Sequence, residues 1–283
     1  MVGSVLSGIR TTTVPCLVSK RTSGALCYSR SESLLKHKQA RRFVVKISAR
    51  KCMGTNSDLS QLALVKSHDL EWTASPVPNV WRKRLFHTGG AENGRVTSVV
   101  KYGAGSSFHL HPHPEGEEIF VLEGIFSDVR GDHKTGTLLL NPEGFEHAPV
   151  SADGCVILVR LRQYPGSRPQ KVVRTDEMDW TAADHGGPGT VRSKMLLSEE
   201  GFEDTIELQL WEPGTEASLG AEKGLEAFVV KGSCESADGR GLHLPKHSWL
   251  RLPCGESVAL RCTEECVLYL KRDALPLAEP LEG

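Results

Sequence analysis

The sequence predicts an all-β protein built from two tandem β-sandwich units. Three observations lead there: a long internal repeat, short apolar runs cut by turn-forming residues, and almost no helical periodicity. The repeat shows in five places, in one order. Glu71-Trp72-Thr73-Ala74 recurs as Asp179-Trp180-Thr181-Ala182, and Arg95 to Gly105 is echoed from Asp204 to Gly214. Ile119-Phe120-Val121-Leu122-Glu123-Gly124 recurs as Ala227-Phe228-Val229-Val230-Lys231-Gly232. Pro142-Glu143-Gly144 matches Pro253-Cys254-Gly255, and Cys155 to Arg160 matches Cys266 to Lys271. The offset stays between 108 and 111 residues. This defines one unit over residues 68–165 and a second over residues 178–272.

Taken in chain order, the first segment is an address. Residues 1–55 carry eleven Lys and Arg against one acid, Glu32, so the rest of the chain sits near −11 within a formal net charge of −1. Residues 1–52 are rich in Ser, Thr and Arg and lack the compact apolar core of a secretory signal, the composition of a transit peptide. Ile47-Ser48-Ala49 resembles a plastid processing site, which points to the chloroplast, with the mitochondrion as the alternative. Asp58 to Lys66 is the one stretch that suits a short amphipathic helical turn. The first unit follows. Gln163 to Pro169, all turn formers and polar residues with no apolar period, reads as the linker to the second.

Composition narrows the partners. An acidic body does not attract nucleic acid, whose binding rests on Lys and Arg neutralising phosphates. There is no run of 18 apolar residues, so no membrane span is expected. The eight cysteines, Cys16, Cys27, Cys52, Cys155, Cys234, Cys254, Cys262 and Cys266, include no Cys-x-x-Cys pair. Mostly reduced, buried thiols are expected, with the spacing of Cys262 and Cys266 open to a redox pair. Sandwich edges can pair, so a homodimer is compatible with this fold class.

The chemistry concentrates in the first unit. Gly105 is followed after five residues by His111-Pro112-His113, three residues later by Glu117, and after six more by Gly124. Downstream, Gly136, Pro142, Gly144 and His147 stand at the spacing Gly-x5-Pro-x-Gly-x2-His. Residues two apart on a strand point to one face, so His111 and His113 present two imidazoles to one cavity. Gly144 allows a tight turn that returns His147 to the same interior. Glu117 is the expected carboxylate, and Glu118 should face the other way. His109 shares the parity of His111 and His113; a packing or mouth position is expected for it, with a fifth polar group in the cavity as the alternative. Three imidazoles and a carboxylate suit one divalent transition metal, Fe, Mn or Zn foremost, rather than Ca or Mg. Four protein ligands leave open positions for water, a small-molecule substrate or dioxygen.

These two blocks make up the cupin signature, departing only where Ser151 stands for the final Asn. Phe108 to Asp128, together with Gly131-Asp132, Gly136 to Pro149 and Gly154-Cys155, resembles the ChrR-like cupin family. The opening Glu71-Trp72 and Tyr102-x-x-Gly105 fit as well. The resemblance implies two tandem cupin jelly-roll domains, the first with a metal on His111, His113, Glu117 and His147. Family members include anti-sigma factors with an added zinc-binding helical domain and metal-dependent dioxygenases that cleave diketone-like substrates. No His-x3-Cys-x2-Cys pattern precedes the cupin, which argues against the anti-sigma class. Some diketone-cleaving relatives use three His and no carboxylate, a pattern from which Glu117 departs.

The second unit has lost the ligands. Counted from Gly214, the places of His111 and His113 fall on Gly220 and Glu222, that of Glu117 on Leu225 or Glu226, and that of His147 on Val258. It is expected to be structural, with His243 and His247 at the surface. Two functions follow. One is a mononuclear metal-dependent oxidoreductase of dioxygenase type acting on a small oxygen-chelating substrate. The alternative is a non-catalytic metal-containing sensor or a module that binds a ligand or another protein.

Overall fold

The computed structural model describes residues 54–89 and 94–275. The transit-peptide segment 1–52, and with it Cys16, Cys27 and Cys52, lies outside the described residues. Each of two lobes is built on a sheet with the same seven-strand path. In the first the order is Lys171–Arg174, Thr137–Asn141, Glu117–Asp128, Cys155–Leu161, Val96–Tyr102, Val80–His87 and Thr73–Ala74. In the second it is Ala63–Lys66, Ser248–Leu252, Leu225–Lys231, Cys266–Arg272, Thr205–Trp211, Val191–Leu197 and Thr181–Ala182. All pairings are antiparallel. Small sheets close the outer side of each lobe. In the first, His111–Pro112 pairs with Glu146–His147; in the second, Glu216–Gly220 pairs with Ser257–Cys262.

The outermost strand of each sheet comes from the other end of the repeat. Ala63–Lys66 precedes the first unit but pairs with Ser248–Arg251 of the second lobe. Lys171–Arg174 precedes the second unit but pairs with Thr137–Leu140 of the first. The two strands are 108 residues apart, so the exchange is reciprocal and the repeat extends upstream to residue 63. This corrects the helical turn expected over Asp58 to Lys66. The backbone groups of Ala63–Lys66 find partners in a sheet edge, and the only helical element there is the short 3-10 turn Ser67–Asp69.

Strand alternation divides each sheet into two faces. Ile119, Val121, Leu139, Ile157 and Val159 line the interior of the first lobe. The alternate residues Phe120, Leu122, Leu138, Leu140 and Leu158 meet Leu208, Phe228, Trp249 and Tyr269 of the second in one shared core. Burying such side chains contributes about 1.5–3 kcal/mol each. The second lobe therefore covers the back of the first lobe's sheet. Ion pairs cross that core between buried residues at equivalent places of the two repeats. Lys271 contacts Glu118, and Arg160 lies 2.7 Å from Glu226 and 3.1 Å from Glu118. Glu118 thus faces away from the first lobe's interior, as strand alternation requires.

Of the described cysteines, Cys155, Cys234, Cys262 and Cys266 are free and buried, and Cys254 is exposed. Burial pushes the Cys155 thiol up to about 11 and raises that of Cys262. Neither is activated as a thiolate. His243 is exposed, while His247 is half-buried and stacks on Phe228 at 5.6 Å.

Candidate metal centre

The first lobe's interior ends in a cluster of imidazoles. His111 and His147 stand opposite each other in the short ladder His111–Pro112 with Glu146–His147. His113 is reached one residue beyond that strand, where its N–H donates to the carbonyl of Phe145 at 3.1 Å. The turn Pro114-Glu115-Gly116 then lifts the chain into the long strand that begins with Glu117. Gly116 sits at φ +73°, and a Cβ there would lie 2.3 Å from the Tyr164 carbonyl. Only glycine fits the position that aims Glu117 inward. Gly144, at φ +79°, makes the corresponding turn ahead of His147.

The ligand nitrogens of His111, His113 and His147 lie within 4.8 Å of one another. Nε2 of His113 is 2.9 Å from Nε2 of His147. Glu117 Oε2 is 3.4 Å from the first and 3.5 Å from the second. Donors about 2.1 Å from one ion, at right angles, stand about 3.0 Å apart. His113, Glu117 and His147 are buried, and His111 is half-buried at the edge. His109 is exposed; its carbonyl joins the site's outer layer, but its side chain is not among the clustered ligand groups.

Neighbouring acceptors select the tautomers. His111 Nδ1 lies 2.7 Å from the His109 carbonyl oxygen, which can only accept, so Nδ1 carries the proton and Nε2 the lone pair. His147 Nδ1 lies 3.4 Å from Asp128 Oδ2, with the same consequence. Asp128 is itself held by Arg130 and by His133 Nε2 at 3.0 Å. Burial would raise its carboxyl, but hydrogen bonds from His133, His147 and Arg130 hold it well below the usual carboxylate range. Asn141 is fully buried and donates from Nδ2 to Glu117 Oε2 at 2.9 Å. Burial keeps His113 below 6.5, opposed by Glu117 and reinforced by His147 and His111. A depressed His113 stays neutral, the donor form a cation needs.

Asp128 and Asn141 were not singled out from sequence. Asp128 ends the stretch that carries the family resemblance, and Asn141 falls on an unspecified position before Pro142. Their signal is the three-dimensional contact itself.

A half-open cavity of about 370 Å³ reaches the cluster. Tyr102, Phe126, Ile157 and Val159 give it apolar walls, and Arg82, Arg84 and Arg162 also line it. Burial raises the Tyr102 phenol well above 10, with Glu117 and Cys155 adding to the effect, so it stays neutral.

The second lobe shows what the same fold becomes without ligands. Leu219 pairs with Val258, as His111 pairs with His147. The Ala221 carbonyl accepts from Gly224 and Gly255, as that of His113 accepts from Gly116 and Gly144. The places of His111 and His113 are therefore Leu219 and Ala221, which corrects the count to Gly220 and Glu222. The first lobe carries one extra residue between Ser107 and His111 relative to its facing strand, and the second does not. Leu225 and Leu252 pair where Glu117 and Asn141 do. Leu219, Leu225, Leu252 and Val258 are buried together in a dry core.

A jelly-roll sandwich with three convergent histidines and a carboxylate inside it is a cupin. Residues 60–165 match the family model of the ChrR cupin-like domain. Comparison with curated proteins finds no match by sequence. Solved structures share the fold. A dioxygenase candidate from Nostoc punctiforme is 15% identical, with 77% of this chain and 85% of that one covered at a TM-score of 0.61. The nickel(II) complex of the pirin YhhW from Escherichia coli is 17% identical, covering 76% and 99% at 0.53. Oxalate decarboxylase from Bacillus subtilis, with Mn(II) centres, is 13% identical, covering 76% and 78% at 0.52. At these identities the likeness is one of fold. Among the described residues no helix is long and apolar enough to cross a membrane.

Proposed function

We propose that this protein is a mononuclear metal-dependent oxidoreductase of dioxygenase type that acts on a small oxygen-chelating substrate. One divalent ion, Fe or Mn before Zn, would be held by His111, His113, Glu117 and His147. The observation that carries this reading is the clustering of these donor groups at the end of a half-open cavity large enough for a small organic molecule. A bound ion would polarise a substrate carbonyl and, if redox-active, take part in electron transfer to dioxygen. The chain's own contribution is positional. Asp128 keeps the His147 proton on Nδ1, Asn141 holds the Glu117 carboxylate, and Tyr102, Phe126 and Val159 keep the wall beside the substrate dry. The acid-poor composition of residues 1–52 supports delivery to the chloroplast, which a reporter fusion of that segment tests.

The test of function is metal analysis of the purified chain, followed by oxygen uptake with a panel of β-dicarbonyl and phenolic ketone compounds. Uptake that disappears in Glu117→Ala and His147→Ala supports the reading. A stoichiometric redox-active metal with no uptake across the panel, carboxylate-bearing β-dicarbonyls included, counts against the dioxygenase reading and favours the sensor.

A further inference from the structure

The cavity in front of the cluster has a charge that the proposed ligand set does not explain. Val80, Arg82 and Arg84 alternate along the strand Val80–His87, which pairs with Val96–Tyr102 in the register Arg82 to Val100 and Arg84 to Ser98. Val100 and Ser98 line the cavity, and both arginines line it beside them. Trp81 and Lys83 occupy the other parity; the Lys83 ammonium donates to the Ser67 carbonyl and lies over the Trp72 ring. Arg162 comes in just beyond the strand Cys155–Leu161, on the other side of Val96–Tyr102, and its guanidinium is 3.2 Å from Glu115 at the surface. Arg84 is half-buried and makes no ion pair or hydrogen bond among the described residues. Glu117 is the only carboxylate among the described lining residues, and it is engaged by Asn141 and two histidines.

A half-buried guanidinium is a planar fork of donors, and it is stabilised by an oxyanion that accepts in the same plane. Arg84 is such a fork on the cavity wall, and Arg82 and Arg162, which already have partners within the protein, add positive charge beside it, with a divalent ion expected at the cavity's end. Low-dielectric walls strengthen that field further.

We propose that the natural substrate is a small carboxylate. Its carboxylate is bound by Arg84 with support from Arg82 and Arg162, while a neighbouring carbonyl oxygen faces the histidine cluster. This rests on the reading of the cluster as a metal site and names the substrate class for it. Neutral diketones, which offer the metal oxygens but nothing to the arginines, are poorer ligands.

The experiment is anaerobic calorimetric titration of the full chain with two probes of one skeleton, acetoacetate and acetylacetone. It is run on wild type, Arg84→Gln and Arg84→Lys, with metal content measured on the same samples. Wild type should bind acetoacetate about 10–100-fold more tightly than acetylacetone, the range of one or two charge-assisted hydrogen bonds. Arg84→Gln should lose most of that ratio with metal content and circular dichroism unchanged, and Arg84→Lys should keep part of it. Equal affinities in metal-loaded wild type, or a ratio untouched in Arg84→Gln, overturn the carboxylate assignment and leave the metal site standing. A wild-type chain that holds no metal overturns the metal site instead. The same titration on that metal-free chain still reads the arginines, where a preference abolished by Arg84→Gln supports the assignment and its absence refutes it.

Discussion

Asp128→Asn removes one negative charge at almost constant shape and tests how the outer layer governs the metal site. Every polar neighbour of this carboxylate is a donor. The Arg130 N–H reaches Oδ1 at 2.9 Å, His133 Nε2 reaches Oδ1 at 3.0 Å, and His147 Nδ1 reaches Oδ2 at 3.4 Å. The Arg130 side chain bridges both oxygens. An amide can turn its oxygen to only one side, so its NH2 must face a donor on the other. If it faces His147, the imidazole loses the acceptor that keeps the proton on Nδ1, and the tautomer with Nε2 protonated becomes competitive. That nitrogen then offers no lone pair to a cation. Outer-layer losses of this kind cost 10–100-fold in metal affinity, about 1.4–2.7 kcal/mol. Competition against a chromophoric chelator at neutral pH measures it, with circular dichroism confirming the fold. A variant that folds normally and holds metal within twofold of wild type would refute the role given to Asp128.

Two further outcomes follow from buried charges. Lys271→Met keeps volume but leaves Glu118 with Arg160 alone, at a site where both original partners are 1% exposed. Breaking a buried pair costs about 3–5 kcal/mol; the remaining Arg160 contact places this case near 3, a fall in Tm of about 6–12 °C for a chain of this size. Urea and thermal unfolding read it, and a loss under 1 kcal/mol would show that the pair contributes little. Metal occupancy should fall with acid. His113 is depressed below 6.5 in the fold, chiefly by burial, so the folded chain keeps its neutral ligand while unfolded chains take up protons. Both metal retention and apo stability should therefore decline as pH drops below about 6.5, with release largely complete near pH 4. Occupancy that is flat from pH 7 to 4 would contradict a histidine site.

What could be read from the sequence depended on whether chemistry fixes a spacing. The spacing of His111, His113, Glu117 and His147 was legible because strand alternation and two turns constrain it, and the structure brings these four groups together. The two-lobe repeat was legible because both copies solve the same packing problem. The strand exchange was not. Ala63–Lys66 finds its partners at Ser248–Arg251, a contact with no local trace, so the apolar positions of Asp58 to Lys66 suit a helix as well as a strand. The places of Leu219 and Ala221 were missed by one residue because the extra residue before His111 reveals itself only in strand register. Arg82 and Arg84 were passed over because alternate basic residues on a strand near the sheet edge look the same whether they face solvent or a cavity.

The exchange also determines what the metal lobe can do alone. A chain of residues 54–165 keeps every proposed ligand but loses Lys171–Arg174, the strand that pairs with Thr137–Leu140. It also carries Ala63–Lys66 with no sheet to join. Phe86, Phe120, Leu122, Leu138, Leu140 and Leu158, all at most 5% exposed in the whole protein, would lose the facing core of the second lobe. At about 1.5–3 kcal/mol each, uncovering these six side chains sacrifices about 9–18 kcal/mol. A domain has about 5–15 kcal/mol in total. Glu118 and Arg160 would keep each other but lose Lys271 and Glu226. The fragment should therefore be insoluble or unfolded and hold no metal, although its site is complete in sequence. Co-expression with residues 166–275 should restore a soluble pair that binds metal, since the two halves exchange strands and share one core. Cooperative unfolding and stoichiometric metal in isolated 54–165 would show that the lobes are independent and that the exchange is incidental to the site.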